Sequence, residues 1–379
     1  MSCNIFKVLP MIAASVSLFA GSAPAKKADK KPELKECSSQ CFPKSRLDCE
    51  TPWDITASAT YWQPRVQAGE IAVLTSDRTQ PDYPVGATGV EPNETFAWGF
   101  QAGVGYTSPE DHWRISGLYT YYKNVNDTSL ETSYGQAFAP SIYANISIQT
   151  NPDDSSHQNL FNNLECGTYT LFNDLDILAS RPAAVTPNLE ITALWGIEAQ
   201  FLQRRHTNVF SNSTEDYLDL DNNNVPYGYI SQLGGYYQNY QKYTWWGVGP
   251  EVGVHTNWHV GGNFYLFGDG FGSLAYGLST ARTATSSKSL DGNNDSYLEK
   301  EAAVQNEMYQ FSPAVKYMLG FSWCKDMDSN DSRVSLKIAY QAEYFFYLIK
   351  SVVPNAAFRS ENGSGIGFQG IVLNAGYDF

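Results

Sequence analysis

The chain has 379 residues, of which 42% are hydrophobic, 14% aromatic and 17% charged, and a formal net charge of −14. So little charge is unusual in a soluble domain, where about 25% is typical, and so many aromatics argue against disorder. A mean hydropathy of −0.35 argues against a bundle of membrane helices, each needing about 20 consecutive apolar residues, and the acidic balance argues against a nucleic-acid partner, whose phosphates require a basic face.

Residues 8–20, VLPMIAASVSLFA, follow Lys7 and precede Ala23-Pro24-Ala25. This layout predicts a secretory signal peptide over 1–25, with an apolar core too short to span a bilayer. Cys3 leaves with it. Residues 26–52 then read as a Lys-rich, solvated periplasmic extension carrying Cys37, Cys41 and Cys49. Together with Cys166 and Cys324 these make an odd set, which in an oxidising compartment points to intermolecular pairing or a free thiol. At least one disulfide is expected among Cys37, Cys41 and Cys49; no His lies near them to complete a zinc site.

From residue 53 onward a period of two takes over. Trp53, Ile55, Ala57, Ala59 and Tyr61 alternate with Asp54, Thr56, Ser58 and Thr60. The same rule runs through 96–106, 113–121, 189–201, 309–323 and 334–346, and less cleanly through 166–179, 240–255, 259–280 and 366–379. Successive strand side chains point to opposite faces, so each segment has one apolar and one polar or small face. These runs fit the 9–11 residues of a tilted transmembrane strand. A soluble sandwich also alternates, but here aromatics cluster at the ends of the apolar faces, as at Trp53 and Tyr61, Trp113 and Tyr121, and Tyr309 and Trp323, in the manner of interfacial girdles. Pro313 lies inside one run and removes a ladder hydrogen bond, which suggests a bulge.

The connections between these runs are 63–94, 107–112, 125–165, 180–188, 207–239, 256–258, 281–306, 325–332 and 351–365, alternating long and short. Outer-membrane barrels have short periplasmic turns and long extracellular loops. The expectation is an all-β, antiparallel up-and-down transmembrane barrel over 53–379, of about ten strands (range about 8–12), with both termini periplasmic. EIAVLTSD (70–77) and IYANISI (142–148) are further strand candidates. The chain ends Gly376-Tyr377-Asp378-Phe379, and a last strand closing on Phe379 reads as an outer-membrane assembly signal.

WGFQAGVGY (Trp98 to Tyr106) followed by DHWRISGLYTYY (Asp111 to Tyr122), and the stretch WWGVGPEVGVHTNWHVGGNFYLFGDGFGSLAYG (Trp245 to Gly277), resemble hairpins of the pore-forming major-outer-membrane-protein-like group of Legionella and chlamydia-related bacteria. The resemblance covers much of the barrel and little of the loops. It implies a porin-like outer-membrane barrel, and the cysteine-bearing start is similar to those of disulfide-linked envelopes of chlamydia-like organisms.

By parity Arg114, Glu190, Glu198, Glu251, Lys316, Arg333, Lys337 and Glu343 face the lumen, because Arg or Lys on the lipid face costs about 2–4 kcal/mol at the midplane. They form either a polar pore wall or a salt-bridged network that plugs a narrow barrel; eight strands leave room only for side chains and wide channels need about 16. Two loops carry acid, among it Asp127, Glu131, Asp153, Asp154, Glu215, Asp216, Asp219 and Asp221, which would favour cations. The run at Asp219 and Asp221 lacks the spacing of a calcium loop. His255 and His259 in HTNWH straddle an expected turn and lack the Glu of HExxH, and no G-x-S-x-G elbow occurs. The sequence therefore predicts no catalytic residues, metal or cofactor. It predicts a porin-like protein passing ions and small hydrophilic solutes with a cation preference. Alternatives are an adhesin or disulfide-linked structural envelope protein with a plugged barrel and, more remotely, an outer-membrane enzyme. Expected partners are outer-membrane lipid and lipopolysaccharide, the barrel assembly machinery, small solutes, and disulfide-linked envelope proteins or further copies of this chain.

Overall fold

The computed structural model describes residues 52–379 apart from 68, 76–87, 134–135, 141–160, 187, 212–235, 291–296, 328–331 and 354–359. The expected signal peptide, the expected extension with Cys37, Cys41 and Cys49, the acid run at Asp219 and Asp221 and the strand candidate 142–148 lie outside the described residues.

The elements are β1 (Trp53–Val66), β2 (Ala72–Thr75), β3 (Thr88–Val90), β4 (Ala97–Thr107), β5 (Arg114–Glu131), β6 (Ala137–Pro140), β7 (Asn163–Val185), β8 (Leu189–Ser211), β9 (Tyr236–Gly261), β10 (Phe264–Leu290), β11 (Tyr297–Met327), β12 (Ser332–Val353) and β13 (Ser360–Asp378). Ten of them close into an antiparallel barrel, each strand beside its chain neighbours, while β2, β3 and β6 form a separate small sheet. The ring closes where β1 pairs with β13, from Asp54↔Asp378 to Val66↔Ile366. Trp53 and Phe379 exchange both backbone hydrogen bonds at its end. No described helix is long and apolar enough to cross a membrane; crossing here falls to strands, whose closure leaves no edge unpaired in lipid.

The two faces separate as the alternation requires. Outward residues are exposed, Trp98 and Val252 each at 62% and Leu319 at 61%, whereas inward Thr60, Gln101, Thr120 and Gln341 are buried. The outward face of β8 is apolar from Leu189 to Phe201 and then turns polar at Gln203, Arg205 and Thr207. The lipid-facing part therefore ends near Phe201 and the rest of the strand stands above the bilayer.

Several boundaries differ from the sequence expectation. The expected turn at 256–258 is strand; the chain reverses at Gly262 and Asn263, where Gly262 has φ +59°, a left-handed conformation that glycine adopts without strain. The expected loops 281–306 and 351–365 are largely strand, so β10, β11, β12 and β13 run far beyond the membrane. Their outer halves, such as Thr283 to Ser289, need no lipid-facing row, and the alternation that marks a strand fades there. The 70–77 candidate does contain β2, but in the small sheet with β6 and β3 instead of the barrel wall. Pro313 faces outward one residue past the point where β11 leaves β12, the last shared rung being Ala314↔Phe345. The irregularity lies on β12, where the register with β13 shifts between Phe345 and Ile349 and Tyr347 takes φ +53°. Inward-facing positions change parity across it: Phe345 and Leu348 are both buried while Tyr347 between them is exposed.

Candidate functional site

The inner face of β8 passes every level of the lumen. From the short-turn end, periplasmic in outer-membrane barrels, it presents Glu190, Thr192, Glu198, Leu202, Arg204, His206 and Phe210 in turn. Together they meet the successive layers of the interior.

The lowest layer is a cavity of about 340 Å³ whose lining includes the charged or titratable Arg114, Glu190, His255, Asp269, Arg333 and Lys337. Its charges are largely paired. Arg114 grips Asp54 through two hydrogen bonds of 2.7 and 3.1 Å, Arg333 Nε donates to Asp326 at 2.7 Å, and His255 Nδ1 bonds the Asp269 carboxylate. Lys337 lies 5.3 Å over the Phe267 ring. His255 and His259 both sit within β9, and His259 reaches the carbonyl of Gly262 at 2.9 Å, so the pair is separately engaged and does not converge. In the turn below, Asp111 is held below the usual carboxylate range chiefly by its hydrogen bond from Ser108.

Above the cavity is the waist. Asp174 and Asp176 from β7, Glu198 from β8, Glu251 from β9 and Glu343 from β12 are all buried, at 1–3% exposure. They surround the ammonium of Lys316 on β11. Lys316 Nζ lies 3.2 Å from Asp174, 3.0 Å from Asp176, and 3.9 Å from both Glu251 and Glu343. Three strands, β8, β9 and β10, stand between β7 and β11 along the shorter way round the wall. The Lys316–Asp pairs therefore span the lumen and do not run along the wall. Asp176 stands directly opposite Glu198 in the β7–β8 ladder, and Lys316 opposite Glu343 in the β11–β12 ladder. The Coulomb attraction to Lys316 offsets mutual repulsion among carboxylates that neighbouring strands force together.

The next layer is apolar. Trp62, Tyr122, Phe172, Leu202, Trp245, Phe345, Leu348 and Phe368 are each at most 1% exposed and form one cluster inside the barrel. Phe172 stacks on Phe368 at 4.8 Å between ring centres, and Tyr122 meets Phe368 edge-on at 5.6 Å. Gly247 makes room: a Cβ there would lie 2.4 Å from the Trp245 ring. The parity change on β12 is what turns Leu348 inward, and its carbonyl accepts from Tyr243 Oη and from Gln310 Nε2 at 2.9 Å. Aromatic side chains thus fill the lumen above the waist.

Higher still, Arg204 pairs with Glu94, and Asn124 Nδ2 donates to the Thr95 carbonyl at 2.7 Å. These bonds fasten the segment before β4 inside the mouth. Cys166 Sγ lies 3.3 Å from His206 Nε2, beyond the lipid-facing part of β7 and β8. Burial pushes the thiol up to about 12 and the imidazole down to about 3, so the pair is neutral and does not form an activated thiolate. A second apolar cluster of Ile71, Phe138, Phe161, Leu164, Phe210 and Tyr237 joins the small sheet to the barrel rim.

The eight sequence-assigned residues all lie on the inner side. Glu198, Glu251, Lys316 and Glu343 meet at the waist, whereas Arg114, Glu190, Arg333 and Lys337 line the lower cavity. Sequence reasoning missed Asp174 and Asp176, and also Glu94 and Arg204. The i, i+2 spacing of Asp174 and Asp176, in step with inward Thr170 and Ser180, was the available signal. Phe379 sits at the barrel seam, its ring stacked 5.8 Å from Tyr377.

The sequence matches, over residues 48–379, the profile of a family described as Legionella pneumophila major outer membrane protein precursor. No curated protein matches. Among solved structures, the outer membrane protease OmpT from Escherichia coli is 12% identical, with 86% of this chain and 96% of that one covered at a TM-score of 0.35. A major outer membrane protein from Thermus thermophilus is 11% identical, with 87% and 100% covered at 0.28. The Pseudomonas putida toluene transporter TodX is 9% identical, with 89% and 91% covered at 0.26. The activities in those descriptions belong to those proteins.

Proposed function

The chain belongs to the Legionella major outer membrane protein family, and from that membership we propose that it is a porin-like barrel giving small cations a narrow, gated path across the outer membrane. The observation that carries this reading is the waist, where five buried carboxylates face a single lysine. A barrel selected only to be solid has no need of such a group, because replacing buried charges by well-packed apolar side chains is often neutral or stabilising. Ionisable side chains kept at membrane depth mark ion pathways in other membrane proteins. An excess of negative charge there raises the local cation concentration and repels anions. On this reading the aromatic layer is the gate, and the proposed role involves no covalent chemistry.

That same aromatic layer favours a second reading, a closed structural barrel. Planar-bilayer recording of the refolded protein separates the two. Cation-selective steps are expected, with selectivity reduced in Glu198→Gln and Glu251→Gln and larger or more frequent openings in Phe172→Ala. Absence of any steps in both the wild type and Phe172→Ala would leave the structural reading.

A further inference from the structure

We infer that a row of cations on the outer wall of the barrel, Arg205 on β8, Lys242 on β9 and Arg282 on β10, binds the phosphate groups of an anionic glycolipid in the outer leaflet. The inference is independent of what passes through the lumen. Arg205 stands directly opposite Lys242 in the β8–β9 ladder, and Lys242 directly opposite Arg282 in the β9–β10 ladder. All three point outward, since the residues before Arg205 and Arg282 and after Lys242, namely Arg204, Ala281 and Tyr243, are buried inside. Their place relative to the apolar band is the same on each strand. The last apolar residues of the lipid face are Phe201, Trp246 and Leu278, which also share one rung; Gln203, Thr244 and Thr280 come next, and then the cations. Four residues of strand at ~3.3 Å each and a tilt of ~45° put the row about 9 Å beyond the apolar edge. Long Arg and Lys side chains cover that gap to the headgroups.

Side chains directly opposite one another in a ladder lie about 5 Å apart at Cβ, and like charges there destabilise a sheet. A run of cations across three strands therefore works against the wall unless an anion joins it. Among the described residues no carboxylate forms an ion pair with Arg205, Lys242 or Arg282. On the flanking strands, Glu307 stands opposite Thr280 and accepts from Gln305 Nε2 at 3.0 Å, and Asp127 stands opposite Gly167. Arg205 is positioned by neutral groups instead. Its guanidinium lies 5.2 Å over the Tyr169 ring, and Gln203, with its amide oxygen turned toward it, accepts from Nε and Nη2 at 2.9 Å. Lys123 on β5 lies 5.7 Å from the same ring and adds a fourth cation at the end of the row. A phosphate group supplies the missing charge together with strong acceptor oxygens, which arginine meets with two parallel N–H donors. A lipid fits better than a soluble anion, because its acyl chains would lie on Phe201, Trp246 and Leu278 directly below the row.

The test is binding of diphosphoryl lipid A by the full chain folded in neutral detergent micelles, counted by native mass spectrometry and followed by thermal unfolding with and without the lipid. Saturable binding and a raised unfolding temperature are expected, and phosphate-free lipid A should give neither. Lys242→Gln, at the centre of the row, should weaken binding about tenfold, and the triple variant Arg205→Gln/Lys242→Gln/Arg282→Gln should abolish it. Lys325→Gln, exposed at the short-turn end of β11, should bind as the wild type does. Without lipid, Lys242→Gln should unfold no more easily than the wild type, because it relieves repulsion; this separates lost binding from lost folding. Equal binding by the wild type and the triple variant would overturn the inference, as would a Lys242→Gln variant that is destabilised without lipid. Displacement of the lipid by equimolar inorganic phosphate would also overturn it and make the row a site for a soluble anion.

Discussion

Replacing Lys316 with methionine keeps much of the length of the side chain and removes the ammonium at the centre of the waist. At an effective dielectric of about 20, its attraction to a carboxylate at 3.0 Å or 3.9 Å is about 4–6 kcal/mol before any desolvation is counted. The four partners are therefore comparable, and no one carboxylate dominates. Losing one partner of a buried ion pair typically costs about 3–5 kcal/mol net, because the remaining charge is left uncompensated. We expect a loss in that range for Lys316→Met, partly restored in the double variant Lys316→Met/Asp176→Asn, which removes the carboxylate nearest the lost ammonium. The assay is urea unfolding in detergent or lipid vesicles, followed by tryptophan fluorescence and by the mobility difference between folded and unfolded barrel on gels. A loss below about 1 kcal/mol, or no recovery in the double variant, would refute the idea that the waist is a charged cluster organised by this lysine.

Two further outcomes follow from the separation of the faces. Ile338, 53% exposed on the lipid side, should lose about 2–4 kcal/mol as Ile338→Arg, measured by the same unfolding assay in vesicles; a neutral result would contradict the assignment of that face to lipid. Cys166 is 3% exposed with its thiol pushed up to about 12 by burial, so the folded barrel should resist alkylation there at pH 8 while the unfolded chain labels fully, as read by mass spectrometry of that peptide, and ready labelling of the folded form would show the upper cluster to be open.

The wall of the barrel was legible because lipid imposes a uniform demand: on β8 every outward residue from Leu189 to Phe201 is apolar, and the period of two exposes it. Where the strands leave the bilayer that demand stops. Thr283 to Ser289 then reads as a loop although it is strand. The interior is harder to read because nothing local fixes its chemistry. Trp62 and Phe172 have the parity of lumen residues, yet their aromaticity resembles that of the lipid face. The pairing of Lys316 with Asp174 and Asp176 joins positions 142 and 140 residues apart, and only closure of the ring brings them together. Parity alone reached Glu198, Glu251, Lys316 and Glu343; the aspartates it missed lie in β7, whose alternation is weakened by outward Asn173 and Gly167.

The excess length of β10 has a consequence for what first meets the outside world. Its 27 residues span about 90 Å at ~3.4 Å each, or roughly 60 Å of height at a tilt of ~45°. The apolar band of such barrels is about 25 Å tall. More than half of this hairpin therefore rises like a chimney through the headgroups and beyond them. Large molecules arriving from outside would touch a rim of strand well before reaching hydrocarbon.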